Sequence, residues 1–166
     1  MTPRRARVVE LVTALAVVAA DQLSKLAVVG SLALDERRVV VPGFFELTYL
    51  LNTGGVWGIG TQLAPGLRAA VFLLLPLIVT GLAAWYSWKL PADARWRRTA
   101  IALVVGGAIG NLVDRLHVEP PAVVDFLMFH LGSFTWPAFN VADSAICVGF
   151  GILLVTSFFE DEEGRA

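Results

Sequence analysis

Two acids stand out as groups able to do chemistry. Asp143 lies in Asn140-Val141-Ala142-Asp143-Ser144, at the head of a run that is apolar from Ala145 to Phe159. Asp125 lies 18 residues earlier in Val123-Val124-Asp125-Phe126, again between apolar neighbours. An ionisable group at the edge of hydrocarbon costs roughly 3 kcal/mol or more, which makes a functional role the default reading. Two such carboxylates meeting at a membrane surface suit acid–base chemistry on a shared proton. The spacing Asn140-x-x-Asp143 also has a purely structural reading. Asn is among the best helix N-caps, and an acid three positions on completes a variant of the capping box. The two readings are compatible, and on the spacing alone the cap is the commoner one.

The elements that must position these acids are apolar. The chain has 166 residues, 57% of them hydrophobic, with net charge −1 and mean hydropathy +0.71. That is one domain's length but too apolar for an ordinary soluble one. The charges gather in a few places and leave four apolar stretches that approach the ~20 residues of a transmembrane helix. The expected fold is an α-helical integral membrane protein, a four-transmembrane-helix bundle with a small extramembrane β-sheet, forming one membrane domain over 1–166. No basic surface stands out, so no nucleic-acid partner is expected. The single cysteine, Cys147, excludes an internal disulfide and is read as a packed core thiol.

The first span is expected over about 8–29. Its basic start (Arg4, Arg5, Arg7) and the Ala19-Ala20 pair before Asp21 also resemble a secretory signal. Asp21 and Lys25, spaced i, i+4, can pair on one helical face. Residues 31–66 are too mixed to span. Arg37 to Val41, the Pro42-Gly43 turn and Phe44 to Leu51 read as two strands, with Asn52 as a turn residue and Gly58, Gly60 and Pro65 keeping the backbone irregular. The second span is expected over about 69–88, with Pro76 inside it and Trp85, Tyr86, Trp88 and Lys89 as an interfacial anchor. The third, over about 99–113, repeats small residues at Ala102, Gly106 and Gly110, which lets another helix approach closely. At its end Asn111 shares a face with Asp114 and Arg115, which read either as an interfacial ion pair or as part of a site. Residues 114–138 return outside the membrane, with Ala122 to His130 as a strand. The fourth span, about 141–159, precedes a solvated charged tail, Glu160 to Arg165.

The amino terminus and the loop between spans two and three carry most of the Lys and Arg. The positive-inside rule therefore puts both termini in the cytoplasm. With that topology Asp21, Lys25, Asn52, Asn111, Asp114, Arg115, Asp125, Asn140 and Asp143 all fall at the outer face, a segregation that scattered caps would not produce.

These motifs resemble lipoprotein signal peptidase (signal peptidase II), a bacterial intramembrane aspartyl protease family. The resemblance runs through Asp21-Gln22-Leu23-Ser24-Lys25, Asn52-Thr53-Gly54, Gly106 to Arg115, Val123-Val124-Asp125-Phe126 and Trp136 to Ser144, in the family's order and over nearly the whole chain. It implies that Asp125 and Asp143 are the catalytic dyad. It also implies that Asp21, Lys25, Asn52, Gly54, Asn111, Asp114, Arg115 and Asn140 support the site or hold substrate. The implied substrate is a diacylated prolipoprotein cut before its lipidated cysteine. The implied location is the bacterial inner membrane, with the site at the periplasmic face and the first span kept. Membrane lipid and substrate are the only partners expected. Four spans can act as a monomer, and no cofactor or metal is required. The sequence departs from the family pattern at Gly55, Val56 and Trp57 and in His117 to Pro121, which bears on substrate and inhibitor fit.

Other chemistries fit less well. Ser24 and Lys25 are adjacent on a helix and point apart. His117 and His130 lack the spacing of a known zinc motif. A proton- or ion-coupled transporter subunit would place its acids near mid-bilayer rather than at one surface.

Overall fold

The computed structural model describes residues 1–55 and 59–163. Val56, Trp57, Gly58, Gly164, Arg165 and Ala166 lie outside the described residues. Among the described residues four helices are long and apolar enough to cross a membrane: α1 (Pro3–Val29), α2 (Pro65–Lys89), α3 (Arg95–His117) and α4 (Val141–Glu163, apolar as far as Phe158). Each overruns its apolar stretch at one end or both, because helical hydrogen bonding does not stop where hydrocarbon ends. Pro65, expected to break the backbone, instead opens α2, where a missing N–H costs nothing. Helix α3 runs past Val113 to His117, so Asp114 and Arg115 lie inside it.

Helix α3 is the centre of the bundle and packs against the other three. Its small residues make this possible. A methyl group at Gly106 would stand 2.8 Å from the Ala14 carbonyl oxygen of α1, and one at Gly110 would stand 2.6 Å from Asp21 Oδ2. The expected stripe thus serves α1. Gly107, off that stripe, is closer still to the Ala142 carbonyl of α4. Helix α2 lies at the periphery, and Ser87 is its only buried residue. Leu74, Leu77, Ile78 and Leu82 are exposed on it, as a lipid-facing surface requires. At its end Arg7 stacks on Trp88 and Lys89 on Trp85, consistent with the expected anchor. The protein is an integral membrane protein.

At one end of the bundle sits an antiparallel sheet in the order β1 (Arg37–Val41), β2 (Phe45–Asn52), β3 (Val123–Leu131), β4 (Phe134–Phe139). The β1–β2 hairpin turns at Pro42-Gly43, with Gly43 at φ 70°, a backbone conformation that glycine adopts without strain. Strand β4 was not foreseen in the sequence because Pro137 lies within it. The proline is tolerated because β4 is an edge strand. Val28, Leu32 and Phe126 form a small core that seats the sheet on the end of α1. The register sets Leu50 opposite Asp125 and Asn52 opposite Val123 on one side of β3, and Phe139 opposite Leu127 on the other. Asp125 is therefore on a central strand, with the chain ends that carry Asn52 and Asn140 flanking it.

Candidate active site

The sheet and the upper turns of α2, α3 and α4 enclose an open groove of about 1220 Å³. Asn52, Gly54, Asn111, Arg115, Asp125 and Asp143 line it. Toward the hydrocarbon it continues between α2 (Leu75, Pro76) and α4 (Ile146, Cys147, Phe150). Cys147, expected to be packed in the core, is exposed on this wall, because α4 turns that face away from α3. On the sheet side Phe45, Phe129 and Phe139 stack at 4.8 and 5.8 Å between ring centres, and Phe44 meets Phe129 edge-on.

Asp125 and Asp143 arrive from different elements and meet around one residue, Asn140, which is fully buried. Asn140 Nδ2 donates to Asp125 Oδ1 at 2.8 Å, and the Asn140 backbone N–H donates to Asp143 Oδ2 at 3.3 Å. Asn52 Nδ2 donates to the other Asp125 oxygen at 3.0 Å, while its own Oδ1 is held by the Gly54 N–H at 2.9 Å. Asn111 Nδ2 donates to Asp143 Oδ1 at 2.8 Å. Burial pushes the Asp125 carboxyl up to about 7, and the nearby Asp143 charge adds to this, while the bonds from Asn52 and Asn140 oppose it. A carboxyl that still holds its proton near neutrality is what a proton-sharing pair needs.

Behind this layer Lys25 Nζ lies 2.7 Å from Asp21 Oδ2 and 2.8 Å from Asp114 Oδ2. The expected Asp114–Arg115 pair is therefore replaced. Neighbours on a helix diverge by about 100°, so Asp114 turns toward α1 while Arg115 turns into the groove. There Arg115 Nη2 donates to the Gly54 carbonyl at 2.8 Å, and its buried Nε has no partner among the described residues.

The sequence profile of peptidase family A8, signal peptidase (SPase) II, matches residues 13–159. The chain belongs to the signal peptidase II family. Lipoprotein signal peptidases resemble it over most of their length. That of Syntrophotalea carbinolica is 44% identical over 148 residues, 89% of either chain. That of Desulforapulum autotrophicum is 38% identical over 86% of this chain and 87% of its own. That of Vibrio cholerae is 37% identical over 87% and 84%. A solved bacterial membrane enzyme superposes with a TM-score of 0.82 at 25% identity, over 95% of this chain and 92% of its own. A second gives 0.75 at 26% identity, over 89% and 91%. As a member of the signal peptidase II family, the protein is a peptidase.

All ten residues singled out in the sequence fall in the groove or directly behind it. Gln22 was not singled out, yet its Nε2 reaches Asp114 Oδ1 at 2.9 Å and the Gly110 carbonyl at 3.1 Å. Its place between Asp21 and Lys25 was the only available signal. The rival groups point elsewhere. Ser24 Oγ donates to the Asp21 carbonyl at 2.8 Å. His117 Nδ1 sits on the Val113 carbonyl, and His130 lies between Thr135 and Glu46. Among the described residues no three His, Cys, Asp or Glu are grouped to hold a metal.

Proposed function

We propose that this signal peptidase II family member removes the signal peptide from diacylglyceryl-modified prolipoproteins, using Asp125 and Asp143 as a water-activating dyad. The scissile amide is the one before the lipidated cysteine. The observation that carries this reading is the meeting of two acids from separate elements on the one asparagine, Asn140, at the wall of a largely apolar groove. The relatives' shared name, lipoprotein signal peptidase, supports the substrate class.

Asp143 is the ionised partner at rest. It lies in the first turn of α4, where the helix N-terminus favours negative charge, and it accepts from Asn111 and the Asn140 backbone. Asp125, with its carboxyl near 7, holds the proton. Asp143 takes a proton from water as the water oxygen bonds to the carbonyl carbon. Asp125 passes its proton to the carbonyl oxygen, leaving a neutral tetrahedral diol. As the C–N bond breaks, Asp143 returns its proton to the leaving nitrogen and Asp125 recovers one from a diol hydroxyl. The pair ends as it began, with one water consumed. Arg115 braces the extended peptide backbone at the groove, and the gap between α2 and α4 admits apolar chains from the bilayer.

In this reading the protein lies in the bacterial inner membrane with both termini cytoplasmic and the sheet and groove at the periplasmic face. It acts as a monomer without a cofactor. The test is a gel-shift assay with purified protein and a diacylated prolipoprotein. Wild type cleaves without a membrane gradient, while folded Asp125→Asn and Asp143→Asn each lose cleavage. Activity surviving in either variant would overturn the dyad.

A further inference from the structure

The mechanism leaves several buried charges without a part in it, and Lys25 is the one that touches a donor to Asp143. Lys25 is 3% exposed, and a pairing with Asp21 and Asp114 would account for its burial but not for its third contact. We propose that Lys25 is a positioning residue for Asp143, acting through Asn111 by dictating which end of the Asn111 amide faces the carboxylate. The inference rests on the dyad reading above.

An ammonium group has three N–H donors and no acceptor. Lys25 Nζ has three close partners: Asp21 Oδ2 at 2.7 Å, Asp114 Oδ2 at 2.8 Å and Asn111 Oδ1 at 3.0 Å. Every donor is used, and every atom it meets must accept. Asn111 therefore turns its oxygen to Lys25. That oxygen also receives Asn140 Nδ2 at 3.2 Å, which fills its second lone pair. The other end of the same amide is left facing Asp143 Oδ1 at 2.8 Å, and it is an NH₂. A flipped amide would set NH₂ against an ammonium and a second amide NH₂, and would set oxygen against a carboxylate. All three contacts would turn repulsive at once. Lys25 thus converts its charge into the direction of a hydrogen bond two residues away in the network.

Lys25 is itself held in place. Gln22 Nε2 donates to Asp114 Oδ1 at 2.9 Å and to Asp21 Oδ2 at 3.2 Å. The Val124 N–H donates to Asp114 Oδ2 at 3.0 Å, and the Ala142 N–H donates to Asp21 Oδ1 at 2.9 Å. The two carboxylates that grip Lys25 are therefore bonded to the backbone positions immediately before Asp125 and Asp143. A lysine that served only to staple helices would need neither Asn111 nor this registration on both acids.

A double-mutant cycle on cleavage kinetics tests the proposal. Asn111→Ala is expected to lower kcat by about 100-fold with KM within about threefold, since a donor to an acid–base group acts on the chemical step. Lys25→Gln is expected to lower kcat by about tenfold or more in the wild-type background and by less than about twofold beside Asn111→Ala, because both changes remove one pathway. Multiplying effects would overturn the inference. Lys25→Gln leaves Asp21 and Asp114 without their cation, so its folding is checked by melting temperature. If it does not accumulate, Asn111→Asp decides. That change keeps an acceptor toward Lys25 and Asn140 but replaces the NH₂ facing Asp143 with oxygen. A folded Asn111→Asp with kcat reduced about 100-fold supports the proposal, and one within about threefold of wild type overturns it. Asp143→Asn runs alongside. If it still cleaves, the dyad reading fails and takes this inference with it. If it is inactive while Asn111→Asp is active, only the role of Lys25 falls.

Discussion

Asn140 and Asp143 hold each other at the start of α4. The Asp143 N–H donates to Asn140 Oδ1 at 2.9 Å, and the Asn140 N–H donates to Asp143 Oδ2 at 3.3 Å. This is a capping box, with Asp in place of the usual Glu. The same two side chains reach Asn111 and Asp125 with their remaining atoms. The helix start and the candidate site are thus one structure. A substitution made to weaken one weakens the other.

Asp125 gives the pH dependence a definite sign. Its carboxyl ionises near 7 when folded and near 3.8 when unfolded. Its contribution to stability is complete below pH about 4, where both states are protonated, and is lost progressively as pH rises to about 7. The melting temperature of wild type should therefore fall across that window more steeply than that of Asp125→Asn. Because the proposed dyad needs one proton, kcat/KM should also fall above pH about 7.

Asn52→Ala removes a hydrogen bond that favours the ionised form of Asp125. The Asp125 carboxyl should then titrate above 7, and the alkaline limb of the activity profile should move upward. At the same time kcat should drop by about tenfold or more, since one of the donors that orient the acid is gone. A pH–rate profile of the two proteins checks both expectations.

The glycines of the helices predict opposite outcomes by position. A methyl at Gly110 would stand 2.6 Å from Asp21 Oδ2 in a packed interface, so Gly110→Ala should cost about 1–3 kcal/mol and lower kcat by disturbing the head of α4. A methyl at Gly81 or Gly151 would meet no atom of the described residues within 4 Å. Replacing either with Ala should leave the melting temperature unchanged or raise it slightly, because Ala loses less backbone entropy in a helix. Thermal unfolding in detergent separates the three.

Far from the sheet, Arg98 ties α1, α2 and α3 together. It is 6% exposed and bonds to Glu10 Oε2 at 2.9 Å, to Ser87 Oγ and to the Leu90 and Pro91 carbonyls. Arg98→Met leaves Glu10 largely buried without its cation and should cost about 3–5 kcal/mol. The folded fraction should keep kcat/KM within about threefold. Adding Glu10→Met should recover part of the loss, since no unpaired charge then remains.

What the sequence by itself determined was set by short-range physics. Apolar length is enough to count four spans. The Pro42-Gly43 hairpin and the capping signal at Asn140 are properties of a few adjacent residues, as is the i, i+4 pairing of Asp21 with Lys25. The one-sided distribution of polar residues around Asp125 and Asp143 was legible because hydrocarbon leaves charge few places to go. Tertiary structure decided the partners. Asp114 belongs to Lys25 on α1 and Arg115 to the Gly54 carbonyl, because adjacent helical residues point in different directions and their partners lie 89 and 61 residues away in the chain. Strand β4 exists despite Pro137 because it lies at a sheet edge, and Cys147 is exposed because α4 gives its other face to α3. The orientation of the Asn111 amide follows only from Lys25 and Asn140 arriving on the same oxygen. Spacing carries no such information, since donors and acceptors in this site come from five separate elements.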